Sequence, residues 1–412
     1  MSDLTPPPRT RWPSAVRALG HHHFQVYFAG QGVSTLGKWV QQVALSWLAY
    51  HLTGSAVLLG LITFLFLAPQ LIVGPFAGAW IDRHDKRRLL IVVQSMLVAQ
   101  SAALALVTWA GWVDGPFIAA MALLLGLLNA VETPLRQALI GSFVEDPADL
   151  PNALVLNAML INAARFVGPP LAGGLIAVAG EAACFALTAV AFTALLAGLL
   201  KVQATASPRA TGSTAQVFRE GLAYLWREQG VRQLLFNVIM VNLLASCYAA
   251  LLPILAKRVY AGDARVLGWL WGAAGAGAFV ATLVLAVGGA LPRLRQFIEV
   301  GAGLCALALL GVCWAGQWQW QLALLALLVL GFGITLSNVS TNMQLQSQAP
   351  GHLRGRVIAF YIAMRFGFEA LGGMAAGLLA ARVGAPATLG AAGAVLLLGV
   401  AGTCAWRNRR AA

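Results

Sequence analysis

Blocks of about 20 consecutive apolar residues recur from one end of this chain to the other, separated by short polar turns, and that pattern leaves few folds open. A block of this length crosses a hydrocarbon core of about 30 Å as a helix. In lipid every backbone N–H and C=O must find its partner within the protein, so the blocks are helices rather than open strands or loops. Twelve spans are expected, at about 26–50, 55–81, 89–111, 116–138, 153–178, 182–201, 233–256, 264–290, 297–316, 319–343, 356–381 and 386–406. The composition agrees. Of 412 residues 59% are apolar and 10% charged, where a soluble domain carries roughly a quarter charged residues. The fold class expected is therefore an all-α membrane protein.

The net charge of +13 does not point to nucleic acid, because the basic residues sit in short loops between spans. Their distribution sets the orientation instead. With the N-terminus inside, 20 Lys and Arg fall on cytoplasmic segments, four (Lys257, Arg258, Arg265, Arg382) fall on the opposite loops, and three lie within spans. Both termini are thus expected in the cytoplasm. The first 23 residues, rich in Pro, Arg and His, hold no apolar core before a small-residue cleavage site, so no cleaved signal peptide is expected. Cys184, Cys247, Cys305, Cys313 and Cys404 all lie in apolar blocks without metal-ligand spacing and read as small core residues. His21, His22 and His23 have no acidic or Cys company and read as a solvated segment before the first span, not as a metal site.

The two halves of the chain repeat one another. Pro147 and Pro350, and Gly174 and Gly377, are each 203 apart, and Leu59-Gly60 and Leu267-Gly268 are 208 apart. Repetition at half the chain length points to two six-helix bundles around a central crevice, which permits rocking about a midplane site. The expected organisation is an N-terminal tail (1–25), a first bundle (26–201), a linker (202–232), a second bundle (233–406) and a short C-terminal tail (407–412). The linker opens as a polar Ser/Thr-rich stretch. It then places Phe218, Leu222 and Leu225 at helical spacing, which predicts an amphipathic helix on the inner membrane surface.

The most informative local motif is Gly78-Ala79-Trp80-Ile81-Asp82-Arg83-His84-Asp85-Lys86-Arg87-Arg88, at the inner end of the second span. It resembles the G-x-x-x-D-R-x-G-R-R loop of the major facilitator superfamily, with Asp85 in place of the second glycine. The resemblance implies a gating role for Gly78, Asp82, Arg83, Lys86 and Arg87. Asp82 would face the N-terminus of the eleventh helix, whose unpaired N–H groups favour an anion, and latch the cytoplasmic side. The fifth span carries Arg165-Phe166-Val167-Gly168-Pro169-Pro170-Leu171-Ala172-Gly173-Gly174, similar to the G-P-x-x-G-G stretch of exporters in that superfamily. Arg165, Gly168, Pro169, Pro170, Gly173 and Gly174 form this motif. Proline opens the helix and glycine lets it pack closely, and a purely packing role competes with a functional one. Over its length, through Thr133-Pro134-Leu135-Arg136-Gln137 and Leu353-Arg354-Gly355-Arg356-Val357, the chain resembles the branch holding enterobactin exporters and macrolide efflux pumps. That implies the major facilitator fold, export of a small molecule, a monomer, no cofactor, and proton influx as the driving force.

Charges inside the membrane are costly, at least about 2.5–3.5 kcal/mol each, and are kept where they face a cavity or a partner. Lys38, Arg165, Arg365 and Glu369 are such charges and sum to +2. The path is therefore expected to accept an anionic or acceptor-rich cargo, siderophore-like or drug-like, with Lys38 and Arg365 as contacts. Glu369 is the candidate proton-coupling carboxylate, and four residues from Arg365 it can form an ion pair with it. Glu132 and Arg136, also four apart, are expected to form a gate-side ion pair. Trp39, Trp47, Phe64 and Phe66 are candidates for an apolar pocket wall. The competing reading on the same fold is a lipid or lysolipid flippase, which a strongly apolar cavity with a lateral opening would favour. An enzyme is excluded on motif grounds: the chain holds no His-Glu-x-x-His, Gly-x-Ser-x-Gly or phosphate-cradling loop.

Overall fold

The computed structural model describes residues 14–81, 83–201, 228–288, 293–315, 320–350 and 354–411. Nearly all of them are helical, and no strand occurs among the described residues. The first half comprises α1 (His22–Thr53), α2 (Ala56–Ile72), α3 (Gly74–Ile81), α4 (Lys86–Trp109), α5 (Gly115–Ile140) and α6 (Leu150–Lys201). The second comprises α7 (Gln229–Met240), α8 (Tyr248–Ile254), α9 (Ala264–Gly288), α10 (Leu294–Ala315), α11 (Trp320–Gln348), α12 (Arg354–Val383) and α13 (Ala385–Ala411).

Among the described residues nine helices are long and apolar enough to cross a membrane. The twelve expected passages are accommodated by three further features. The 52 residues of α6 would extend about 78 Å if straight. Instead the helix folds back at Gly180, whose φ of 78° an L side chain rarely adopts, and so supplies two passages. Together α2 and α3 make one passage, interrupted at Val73. Finally, α1 is long enough at 32 residues but is diluted by Gln25, Gln31, Lys38, Gln41 and Gln42, as suits a helix lining a polar path. One of the nine is made of α7 and α8 together, joined by a wide π-turn at Val241–Ala245.

Short loops end in side-chain caps. Ser55, Asp85 and Asp114 each accept a backbone N–H three residues on, from Leu58, Arg88 and Phe117, which satisfies donors that a helix start leaves open. Asp85 explains how the loop dispenses with its expected glycine. Its φ of −67° is ordinary, and as a helix cap it does a job that glycine cannot.

Helix starts α4, α6, α7 and α10 lie at the end of the bundle that carries the chain termini, here called the terminal end. Arg87 at the start of α4 reaches Leu199 at the end of α6, and Arg295 at the start of α10 reaches Gln233 near the start of α7. His21 likewise joins Asp149, ahead of α6, at 3.2 Å. The expected solvated histidine segment is thus corrected for His21: it sits on a buried carboxylate that also meets Arg17.

The halves meet along two seams, α2 against α12 and the first arm of α6 against α9. A methyl placed on Gly60 would stand 2.9 Å from Gly373 O, and one on Gly268 would stand 2.7 Å from Pro169 O. With no hydrophobic drive between helices in lipid, such close backbone approach supplies the dispersion that holds the halves together. Among the described residues, inter-half glycine contacts run from the far end to the middle, ending near Gly367 against Leu71 and Gly275 against Arg165. The molecule is closed at its far end.

The repeat is visible in these contacts, in a register one residue from that expected. Gly168 packs on Trp39 of α1, and Gly372 packs on Leu243 in the corresponding turn of the second half. Gly173 meets Gly268, and Gly377 meets Gly60. Gly168 and Gly372, and Gly173 and Gly377, are each 204 apart, so Gly173 rather than Gly174 is the counterpart of Gly377. Around Gly174 the space is open. The expected linker helix at Phe218, Leu222 and Leu225 lies outside the described residues.

Candidate functional site

A cavity of about 100 Å³ lies at mid-depth between the halves. The first half gives it Trp39, Gln42, Phe66 and Arg165, and the second gives Tyr248, Trp271, Arg365 and Glu369. Three of the four predicted intramembrane charges therefore share one chamber. Arg165 lies 5.7 Å from the ring centroid of Trp39 and shares the chamber wall with Tyr248. The Trp271 ring stands 6.0 Å from both Trp39 and Tyr248, closing an aromatic frame around that guanidinium. Arg165 and Glu369 are also 204 apart, the offset of the glycine counterparts, so opposite charges occupy equivalent places in the two halves.

The expected Arg365–Glu369 ion pair is not formed: no contact within 4.0 Å joins them. The Arg365 guanidinium instead lies 5.0 Å from the Phe366 ring, and its Nε is buried without a hydrogen-bond partner. Trp271 Nε1 is likewise buried and unpartnered. Unsatisfied donors in an apolar wall carry a penalty of about 1–3 kcal/mol each until an acceptor arrives. The chamber thus offers two unmet donors, a second guanidinium and one carboxylate.

Lys38 is not in this chamber. Its Nζ lies 3.4 Å from Glu132 Oε2, and Arg136 holds the other oxygen of the same carboxylate. Arg136 also donates to Ser34 Oγ at 3.2 Å. The predicted pair Glu132–Arg136 is present but is a triad spanning α1 and α5, and Arg136, one of the 20 basic residues assigned to cytoplasmic segments, is buried within it. Nineteen inner charges against four still give the same expected orientation. In the second half the corresponding link is neutral: Asn242 and Asn338 exchange hydrogen bonds at 3.0 and 3.2 Å, and the Tyr361 hydroxyl donates to Asn338 O at 2.8 Å.

Asp82 and residues 351–353, the two sides of the expected latch, lie outside the described residues. Gly78 lies in α3, and Lys86 opens α4. Arg83 donates its backbone N–H to Trp80 O at 3.2 Å. Arg87 reaches the last carbonyls of α6, at 3.0 Å to Leu199 O and 3.1 Å to Leu200 O. There a cation meets the negative end of the helix, tying the loop to its own half. In the fifth-span motif Pro169, Pro170 and Gly173 face Gly268 and Gly272 of α9, so the motif is the seam between halves. Of the candidate aromatics, Trp39 and Phe66 line the chamber. Trp47 is core, 5.9 Å from Lys257 Nζ, and Phe64 is not part of the wall.

The family model described as transmembrane secretion effector matches residues 13–410, almost the whole chain. The chain belongs to the transmembrane secretion effector family of the major facilitator superfamily. Members are membrane transporters, not enzymes. Within this family setting the chain is 29% identical over 295 residues to the staphyloferrin A transporter of Staphylococcus aureus, covering 69% of this chain and 72% of that one. It is 26% identical over 381 residues to the multidrug efflux pump Tap of Mycolicibacterium fortuitum, covering 88% and 91%. Among solved structures, a peptide transporter superposes with a TM-score of 0.76 at 12% identity over 94% of this chain and 95% of that one. That likeness is one of fold.

Sequence reasoning missed Tyr248 and Trp271 as partners of Arg165. A Trp in a span is ordinary, and only the crossing of α1 and α9 brings the rings together. Gly268, Gly272 and Gly275, at steps of four and three along α9, are a legible signal for the seam.

Proposed function

We propose that this protein is a secondary exporter of the bacterial inner membrane, with both termini cytoplasmic. It moves a small anionic or acceptor-rich molecule outward by alternating access in exchange for protons. The observation that carries the reading is the mid-depth chamber, where Arg165, Arg365 Nε and Trp271 Nε1 offer donors against the single carboxylate of Glu369. A siderophore-like carboxylate or catecholate suits that donor excess, and the efflux and staphyloferrin A transport named for its relatives points the same way. At about 100 Å³ the chamber is smaller than the ~300–1,000 Å³ of ordinary ligand pockets, so cargo enters only as the halves part. Closure at the far end leaves the terminal end as the loading side, which is the cytoplasm in this orientation. The charged wall weighs against a lipid flippase, which needs an apolar one.

Glu369 is the proton carrier in this scheme. It faces the chamber without an ion-pair partner, so it is free to take a proton on the outer side once cargo has left and to release it to the cytoplasm before the next cargo loads. One chain encloses the whole path, so a monomer suffices and no cofactor is needed beyond the proton gradient. Everted vesicles given acidic candidates in the medium test this. Glu369→Gln abolishes proton-driven uptake while leaving cargo counterflow, and Arg365→Gln lowers affinity for anionic cargo about tenfold. Full proton-driven transport by Glu369→Gln refutes the coupling role.

A further inference from the structure

A second cavity, of about 470 Å³, lies off the path at the terminal end of the second half. It opens among the starts of α7 and α10 and the ends of α11 and α13, at the level where spans meet water. Its walls change character with depth. Arg232, Gln233 and Arg295 stand near the starts of α7 and α10, with Ile298 and Glu299 about one turn into α10, whereas Phe236 and Met240 of α7 and Leu396 and Val400 of α13 stand about two to four turns in from the helix ends. From Gly230 to Met240 is about 15 Å of helix, enough for a headgroup and the first carbons of an acyl chain.

The charges favour an anion. Arg295 donates to Gln233 Oε1 at 3.3 Å and stands 3.7 Å from Glu299, so that carboxylate is already engaged. Arg232 is exposed, and no side-chain partner accompanies it among the described residues. Deeper in, Gln344 Oε1 is buried without a hydrogen-bond donor. A cleft with two guanidinium groups at its mouth, an unmet acceptor beneath them and an apolar floor matches one chemistry: a phosphodiester bearing a hydroxyl, carried on an acyl tail. Basic pockets between helices at a membrane face take anionic headgroups, and Arg matches phosphate geometry with paired N–H groups.

We infer that this cleft is a binding site for an anionic phospholipid of the adjoining leaflet. Arg232 and Arg295 hold the phosphate, a headgroup hydroxyl donates to Gln344 Oε1, and the first acyl carbons lie against Phe236, Met240 and Val400. The site does not depend on what the central chamber carries.

Native mass spectrometry of the full chain in detergent, titrated with phosphatidylglycerol or phosphatidylcholine of matched acyl chains, tests the site. Phosphatidylglycerol is retained in preference. Each basic residue at a membrane surface is worth a factor of about five, so Arg232→Gln weakens retention about fivefold and the double change with Arg295→Gln about thirtyfold. Arg258→Gln, at the far end, leaves it unchanged. Because Arg232 is exposed, its single variant reads the site without threatening the fold. Equal retention of both lipids, no lipid retained because the chain's own linker fills the cleft, or undiminished phosphatidylglycerol binding in both variants overturns the inference. So does full displacement by millimolar inorganic phosphate, which would make the cleft a soluble-anion site.

Discussion

Replacing Glu132 by Gln tests whether the first half is held by a shared carboxylate. Glu132 is 1% exposed, Arg136 10% and Lys38 25% by side chain. At 3.4 Å the gross attraction of Lys38 for Glu132 is about 5 kcal/mol at an effective dielectric of about 20. Desolvation removes most of it, and a quarter-exposed ammonium recovers part by meeting water, so Lys38→Met is expected to cost about 1 kcal/mol. Glu132→Gln leaves two cations facing one another in the bundle, a loss of the kind that costs about 3–5 kcal/mol when a buried pair is broken. We expect about 3 kcal/mol. In a half of this size that corresponds to a drop of roughly 6–12 °C in Tm. The double variant Lys38→Met/Glu132→Gln should be less destabilised than the sum of the singles, because removing Lys38 relieves the charge that Glu132 no longer balances. Thermal unfolding of the purified protein in detergent, followed by intrinsic fluorescence, provides the measurement. Glu132→Gln within about 0.5 kcal/mol of the parent, or strict additivity in the double variant, refutes the reasoning.

Other outcomes are equally definite. Gly268→Leu drives a side chain into Pro169 O at the seam and is expected to cost about 1–3 kcal/mol by overpacking; it should also open the far end to thiol reagents at a cysteine placed on Thr63, and a thiol that reacts as fast there without Gly268→Leu counts against far-end closure. Gly180→Ala meets no atom within 4 Å but is strained at φ 78°, so it should lower stability by about 1–2 kcal/mol; no loss in an unfolding curve contradicts the fold-back. Arg87→Gln removes two bonds to the end of α6 and should destabilise by about 1–2 kcal/mol, with faster amide exchange at 196–201 as the local sign.

The fold was legible because the bilayer restricts backbone chemistry so severely that hydropathy and block length nearly decide it. The halves were legible too, although the apparent offset of 203 at Gly174 and Gly377 misplaced the true correspondence by one residue. Two glycines in a row cannot tell which of them touches the neighbouring helix; only Gly173 does. The site was partly legible. Cost singled out Lys38, Arg165, Arg365 and Glu369, but cost alone does not say which charges meet. Residues four apart on α12 suggested a pair, yet both side chains turn to the chamber, and Arg365 settles against Phe366. Lys38 found its partner 94 residues away on α5, through a helix crossing that no local spacing encodes.

That crossing also makes the two bundles unequal. A rocker assembled from duplicate parts feels a shift in acidity alike on either side of its axis. Here the tie between first and fourth helices is ionic in one copy and amide in the other, Lys38–Glu132 against Asn242–Asn338. Only the first tie answers to a change of charge on its carboxylate, so this fastening lets an otherwise even-handed machine distinguish its two sides.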